Sequence, residues 1–241
     1  MRDIRYLLSI TEFLEGTSAE RLREEACLRL DTERRRKLVG AKFGRRYAEA
    51  LGAGLLLQLG LQECKEVCTE ICKDSQEFAD GAPELADGAL ESIEQLTVSQ
   101  ILSKLHAPVE AEYTYGEKGK PYFKKEPIYF SLSHSGNYVF GVFSEREIGA
   151  DIQYGKPDYS ERIVSRFFTE KEQKLWQSCS GKEPRRRLFY KLWTRKEAYG
   201  KLTGGGIVAG LQTDVPENIL WEDYEVCKDY WLAICKWAIK E

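Results

Sequence analysis

Two acidic side chains and a scatter of cations raise the chemical question. Asp151 lies within the apolar stretch Ile148 to Ile152, where a carboxylate leaving water needs hydrogen bonds, a cation or solvent on one face. Glu197 follows the apolar stripe Leu188, Phe189, Leu192 and Trp193, which carries it toward the buried side of a helix. Lys201 stands four residues after Glu197, the acid-first spacing of an ordinary helix ion pair contributing roughly 0.2 to 0.5 kcal/mol. His134 sits in Ser131-Leu132-Ser133-His134-Ser135-Gly136, where a turn histidine can be satisfied by the backbone and the serines can face solvent. Together with Lys120 and Lys196, these residues suggest a site for a phosphate ester bridged by a hard divalent cation. On that reading magnesium takes oxygens from Asp151, Glu197 and a ligand pyrophosphate. Lys120, His134, Lys196 and Lys201 neutralise the remaining phosphate charge.

These residues must be positioned by elements that the hydrophobic pattern predicts. Ile4 to Ser9 reads as a strand, and Ser18 opens an amphipathic helix reaching Leu30. Asp31-Thr32-Glu33 starts a second helix whose early turns hold Arg34, Arg35, Arg36 and Lys37, with Leu51 to Leu61 as its apolar continuation. Ile128 to Ser133, Tyr138 to Phe143 and Ile148 to Ile152 are expected to pair as an antiparallel meander. Helices are expected over Ser160 to Phe168, Glu170 to Gln177 and Arg185 to Lys201, the last stopping before Gly204-Gly205-Gly206. A hairpin of Tyr224 to Cys227 and Tyr230 to Trp237 closes the chain. The class is mixed α+β.

Composition narrows the functions. A formal net charge of -3 gives no global footprint for nucleic acid. The charged start Met1 to Arg5 leads into only Tyr6-Leu7-Leu8, too brief for a secretory signal. The longest apolar stretch, Leu51 to Leu61, contains Gln58 and several glycines and is too short to span a bilayer. A cytoplasmic protein without membrane association is expected. Seven cysteines, an odd count, suit a reducing compartment. Cys64, Cys68 and Cys72 share a helical face with Val67 and Ile71, read as a buried stripe rather than a zinc site, which needs four ligands. Asp74 to Gln95, with the near-repeat Ala79-Asp80-Gly81-Ala82 and Ala86-Asp87-Gly88-Ala89, reads as a surface insertion.

The segments Gly119-Lys120-Pro121, Phe130 to Gly136, Gly149-Ala150-Asp151, Arg166 to Glu170 and Trp193 to Gly206, in that order, resemble the 4'-phosphopantetheinyl transferases of the Sfp type. The resemblance covers Gly119 to Ile207 and, more loosely, the basic helix. It implies two similar α+β halves, residues 1–147 and 148–241, related by a pseudo-twofold axis with coenzyme A in the cleft between them. It implies holo-[acyl-carrier-protein] synthase activity: transfer of 4'-phosphopantetheine from coenzyme A to a serine of an acyl or peptidyl carrier protein, with adenosine 3',5'-bisphosphate released. Asp151 and Glu197 match the family's magnesium-binding acids, with Glu197 and Lys201 in the catalytic step. Lys120, Ser133, His134, Lys196 and Lys201 match its coenzyme A phosphate contacts, and Arg34 and Lys37 its contacts to the 3'-phosphate, a role open also to Arg45 or Arg46. Gln153 stands where many relatives carry an acid; it serves as a third metal position, directly or through a water. Glu172 matches a further acidic position. A monomer is expected. Two other readings remain open: a noncatalytic coenzyme A or nucleotide-binding module, kept alive by Gln153, and a nucleic-acid-binding protein using Arg34 to Lys37 and Arg185 to Arg187, disfavoured by the acidic balance.

Overall fold

Asp31 begins the basic helix as its sequence predicts, its carboxylate accepting the amide of Arg34 (2.9 Å). That helix, α3 (Thr32–Leu38), does not run on into the apolar stretch. Gly40, at φ +75°, breaks it, and a separate helix α4 (Arg45–Asp74) carries Leu51 to Leu61. The expected single helix is therefore two, because a left-handed glycine cannot continue an α-helix. The computed structural model describes residues 3–74, 92–206 and 215–239, with 66–74 as backbone alone. The body of the expected insertion, residues 75–91, and the side chains of Cys68 and Cys72 lie outside the described residues; Cys64 is buried.

The chain is mixed α+β and its backbone groups into two compact units, residues 1–111 and 112–241. In the first, β1 (Ile4–Ser9) pairs in parallel with β2 (Glu94–Leu96), so the far end of the expected insertion is a strand rather than a surface loop. Helices α1 (Thr11–Leu14), α2 (Ala19–Leu28) and α5 (Val98–Lys104) accompany α4. At Gly54 a β-carbon would lie 2.5 Å from Leu30 Cδ2, so this glycine admits the Leu30 side chain against α4. Gln58, the polar interruption of the apolar stretch, is buried. Its Oε1 accepts the Val109 amide (2.7 Å) and its Nε2 donates to the Val109 carbonyl (3.0 Å). One turn on, Gln62 does the same for His106 and Lys104. The two amides thus replace a missing strand partner for residues 104–109. Gln58→Leu should cost about 1–2 kcal/mol in urea unfolding, because it leaves a partly buried amide and carbonyl without their side-chain partner; a loss below about 0.5 kcal/mol would show that these bonds are dispensable.

In the second unit, β3 (Tyr113–Tyr115) and β4 (Pro121–Phe123) form an antiparallel hairpin. Strand β5 (Tyr129–Ser135) pairs antiparallel with β6 (Tyr138–Ser144), as expected. The third strand of the expected meander, β7 (Ile148–Tyr154), leaves it: β7 joins β9 (Tyr230–Trp237), which pairs in turn with β8 (Ile219–Cys227), giving a sheet ordered β7-β9-β8. Helices α6 (Glu161–Phe167), α7 (Glu170–Ser178) and α8 (Lys182–Leu202) follow β7. They enclose an aromatic core in which Phe189 stacks on Tyr159 and Trp193, and Tyr190 on Trp231. This core fixes the first half of α8 on the sheet and leaves its second half to carry chemistry.

Candidate active site

Strands β5 and β7 belong to different sheets, yet they run side by side joined by side chains. Along β5 the serines at alternate positions share one face. Ser131 Oγ accepts the Ala150 amide (2.9 Å), Ser133 Oγ the Ile152 amide (3.2 Å) and Ser135 Oγ the Tyr154 amide (2.9 Å). Neither Ser131 nor Ser133 faces solvent; both are about 5% exposed. This hydroxyl strap sets the register that brings Asp151 beneath Ser133.

The other wall comes from α8, and Gly149 controls its distance. A β-carbon at Gly149 would lie 2.2 Å from the Ala198 carbonyl oxygen and 2.5 Å from the Leu202 amide nitrogen, so helix backbone rests directly on strand backbone. The approach carries Glu197 and Lys201, one helical turn apart, to Asp151. Asp151 is 2% exposed and its charge is fully answered. Oδ1 accepts from Ser133 Oγ (2.6 Å) and Lys201 Nζ (2.7 Å), and Oδ2 from Gln153 Nε2 (2.9 Å). Lys201 Nζ also donates to the Leu132 carbonyl (3.2 Å). The Glu197–Lys201 surface pair permitted by their spacing is thereby replaced, since an enclosed carboxylate gains more from the ammonium than a wetter one.

Glu197 is left with an unusual environment. Burial, and then the nearby Asp151 charge, push its carboxyl up to about 7, against the opposing pull of Lys201. It lines a pocket of about 350 Å³ together with Lys201, Lys120, Lys118 and the glycines 204 and 206. Lys120 enters from the β3–β4 turn, where Gly119 takes φ +85°. Its Nζ donates to the Leu202 carbonyl at the end of α8 (2.8 Å), and burial holds its ammonium below its ordinary value. Lys118 Nζ reaches the Gly205 carbonyl (3.3 Å). The sequence marked the glycine run as a helix stop and as part of the family resemblance, without placing it in a pocket wall. Gly204 and Gly206 take positive φ and line the pocket, a use that a run of three glycines permits.

The remaining predicted residues are more dispersed. Lys196 is 1% exposed, with Nζ 2.8 Å from Glu172 Oε2. The approach is that of an ion pair without hydrogen-bond geometry, and among the described residues no other acceptor meets this ammonium. Lys196 and Glu172 line a different pocket from Glu197, alongside Arg195 and Trp221. His134 is exposed on β5, opposite Val139. Arg34 and Lys37 lie on α3 in the first compact unit, Lys37 paired to Glu33 (2.7 Å). Arg45 and Arg46 start α4.

Magnesium can be weighed against these side chains. Among the described residues no group of three or more His, Cys, Asp or Glu is arranged for a metal. Two carboxylates, one of them raised by burial and then by the charge of the other, with the Gln153 amide beside them, nevertheless form an oxygen-donor set that a hard cation relieves of charge, with waters and ligand oxygens completing its shell. The residues fit such an ion.

Comparison with known proteins places the chain in a family. A 4'-phosphopantetheinyl transferase of Bacillus subtilis, ffp, is 31% identical over 157 residues, which span 57% of this chain and 69% of that protein. The chain belongs to the 4'-phosphopantetheinyl transferase superfamily. The superfamily's sequence profile matches residues 147–235, the segment from the start of β7 into β9 that contains Asp151, Lys196, Glu197 and Lys201. A putative 4'-phosphopantetheinyl transferase of Synechocystis is 41% identical over 119 residues, 47% of this chain and 48% of that protein. The 4'-phosphopantetheinyl transferase HetI of Nostoc is 37% identical over 106 residues, 42% of this chain and 44% of that protein. The chain thus spans about half the length of these two relatives. Among the described residues, no helix of this superfamily member is long and apolar enough to cross a membrane.

Proposed function

We propose that the protein is a magnesium-dependent transferase that moves 4'-phosphopantetheine from coenzyme A to a serine of an acyl or peptidyl carrier protein and releases adenosine 3',5'-bisphosphate. The observation that carries this reading is Glu197, a carboxyl held near pH 7 in a pocket walled by Lys120 and Lys201, in a chain of this superfamily.

Asp151, Glu197 and Gln153, the last directly or through a water, hold the ion, which when bound supplies Lewis-acid neutralisation of the pyrophosphate. In the transfer, the carrier serine Oγ forms a bond to the β-phosphorus while the bond from that phosphorus to the bridging oxygen breaks. Glu197 accepts the serine proton, a role suited to an enclosed carboxylate that faces the pocket. Lys201 spends two of its three N–H groups on Asp151 and Leu132, which leaves one for the departing phosphate. Lys120 and His134 complete the phosphate contacts, with Arg34 and Lys37 on the 3'-phosphate; Lys196, enclosed beside Glu172 in a neighbouring pocket, joins them only after leaving that ion pair. Ser133 serves the same site from behind Asp151. The two-halved architecture, residues 1–147 and 148–241 about a pseudo-twofold axis, a monomeric state and a cytoplasmic setting without nucleic acid or membrane belong to the same proposal.

Gln153 gives the noncatalytic binding module its one specific support, since an amide adds no negative charge for the ion. Chromatography of coenzyme A incubated with the protein and an apo carrier protein separates the two readings. Adenosine 3',5'-bisphosphate should form in proportion to carrier added and should vanish with chelator. Coenzyme A binding without nucleotide release across several carriers would favour the binding module instead.

A further inference from the structure

We infer that Ser133 is a positioning residue for the Asp151 carboxylate and does not contact phosphate. The inference deepens the proposed function and rests on it for the metal and coenzyme A readouts below, but not for the unfolding cycle. A serine hydroxyl has one proton to donate. Here it goes to Asp151 Oδ1 at 2.6 Å, while a lone pair of the same oxygen accepts the Ile152 amide at 3.2 Å. A phosphate oxygen accepts hydrogen bonds and offers none, so it has nothing to take from this hydroxyl unless the bond to Asp151 is broken.

The three donors to Asp151 differ in stiffness. Lys201 and Gln153 reach it through long side chains with several torsions, whereas Ser133 has one, on a strand locked to β6 along its whole length. Ser131 and Ser135 bond the β7 backbone on either side, so the strap holds the strand while its middle member alone turns its proton to the carboxylate. Ser133 therefore sets the direction of Oδ1, and with it the placing of the acid beside Glu197. Ser131 provides the matching control: it is equally buried and spans the same two strands, but its hydroxyl meets only backbone, at Ala150.

The test has a metal-free arm and a metal arm. In chelator, a double-mutant cycle on the unfolding equilibrium of the full chain pairs Ser133→Ala with Asp151→Asn. Coupling of about tenfold or more is expected, the size associated with a hydrogen bond to a charged group, whereas Ser131→Ala with Asp151→Asn should show none. In the second arm, Ser133→Ala should weaken Mn2+ binding about tenfold, with Ser131→Ala within about twofold of wild type. Coenzyme A affinity in chelator should stay within about twofold for both variants. Absence of coupling would overturn the inference. So would a Ser133→Ala protein that binds Mn2+ normally but has lost about tenfold in coenzyme A affinity, the signature of a phosphate contact. Should wild type take up no Mn2+ at all, the proposed function fails at its metal, and the unfolding cycle still decides the role of Ser133.

Discussion

Replacing Glu197 with glutamine is expected to lower phosphopantetheine transfer by roughly 10²- to 10⁴-fold, the range a positioned general base contributes. The amide keeps the shape of the side chain but cannot take the serine proton, so coenzyme A binding in chelator should be nearly unchanged. The same substitution has a signature in stability that needs no substrate. The native carboxyl titrates at about 7 against an ordinary value of 4.5, because burial and Asp151 disfavour its charged form. Between those pH values the folded protein keeps a proton that the unfolded chain releases. In metal-free protein the unfolding free energy should therefore be highest from this group below pH 4.5 and fall as pH rises through about 7, by about 3 kcal/mol in total. Glu197→Gln should flatten that slope. A wild-type curve that rises across this window, or a variant that transfers at the wild-type rate, would remove Glu197 from the role assigned to it.

The second large effect is expected at a residue with no functional group. Gly149→Ala places a methyl 2.2 Å from the Ala198 carbonyl oxygen and 2.5 Å from the Leu202 amide nitrogen. Both are backbone atoms in the last turn of α8, so no side chain can rotate aside. Strand β7 or helix α8 must move, and β7 is held on its other edge by the full register with β9. Overpacking of this kind costs about 3 kcal/mol or more when the obstacle is rigid. Thermal or urea unfolding measures that loss. Because the helix that would shift carries Glu197 and Lys201, residual folded protein should also transfer poorly. A Gly149→Ala protein as stable as wild type would mean that α8 is not seated on β7 as described.

How much of this was legible in the sequence depends on whether the deciding interaction is local. Asp31 as a helix cap, the antiparallel pairing of β5 with β6 and the glycine stop after α8 follow from neighbours within a few residues, and the structure keeps them. That Asp151 would need partners was also legible, from a carboxylate set among Ile148, Ala150 and Ile152. Which partners was not, because Ser133 and Lys201 are 18 and 50 residues away. The i,i+4 rule offered Glu197 to Lys201, and tertiary burial of Asp151 outbid it. Strand identity was likewise readable for Ile148 to Ile152, but strand partnership was not: a short apolar run says that β7 is buried, and says nothing of whether β6 or β9 completes its ladder. The serines of β5 carried the missing information. Three hydroxyls at alternate positions beside an apolar strand are a way to join two strands that share no backbone ladder. Gln58 shows the same lesson in the first unit, where a polar break in an apolar helix marked a buried bridge to Val109 rather than a solvent-facing turn.

The most direct measurement is the intact mass of an apo carrier protein incubated with this protein, coenzyme A and magnesium, beside a sample containing chelator. The account predicts a metal-dependent gain of about 340 Da, the approximate mass of a phosphopantetheinyl group transferred by metal-assisted chemistry. An unchanged mass across fatty-acid, polyketide and peptide carrier proteins, from protein shown to bind coenzyme A, would contradict it.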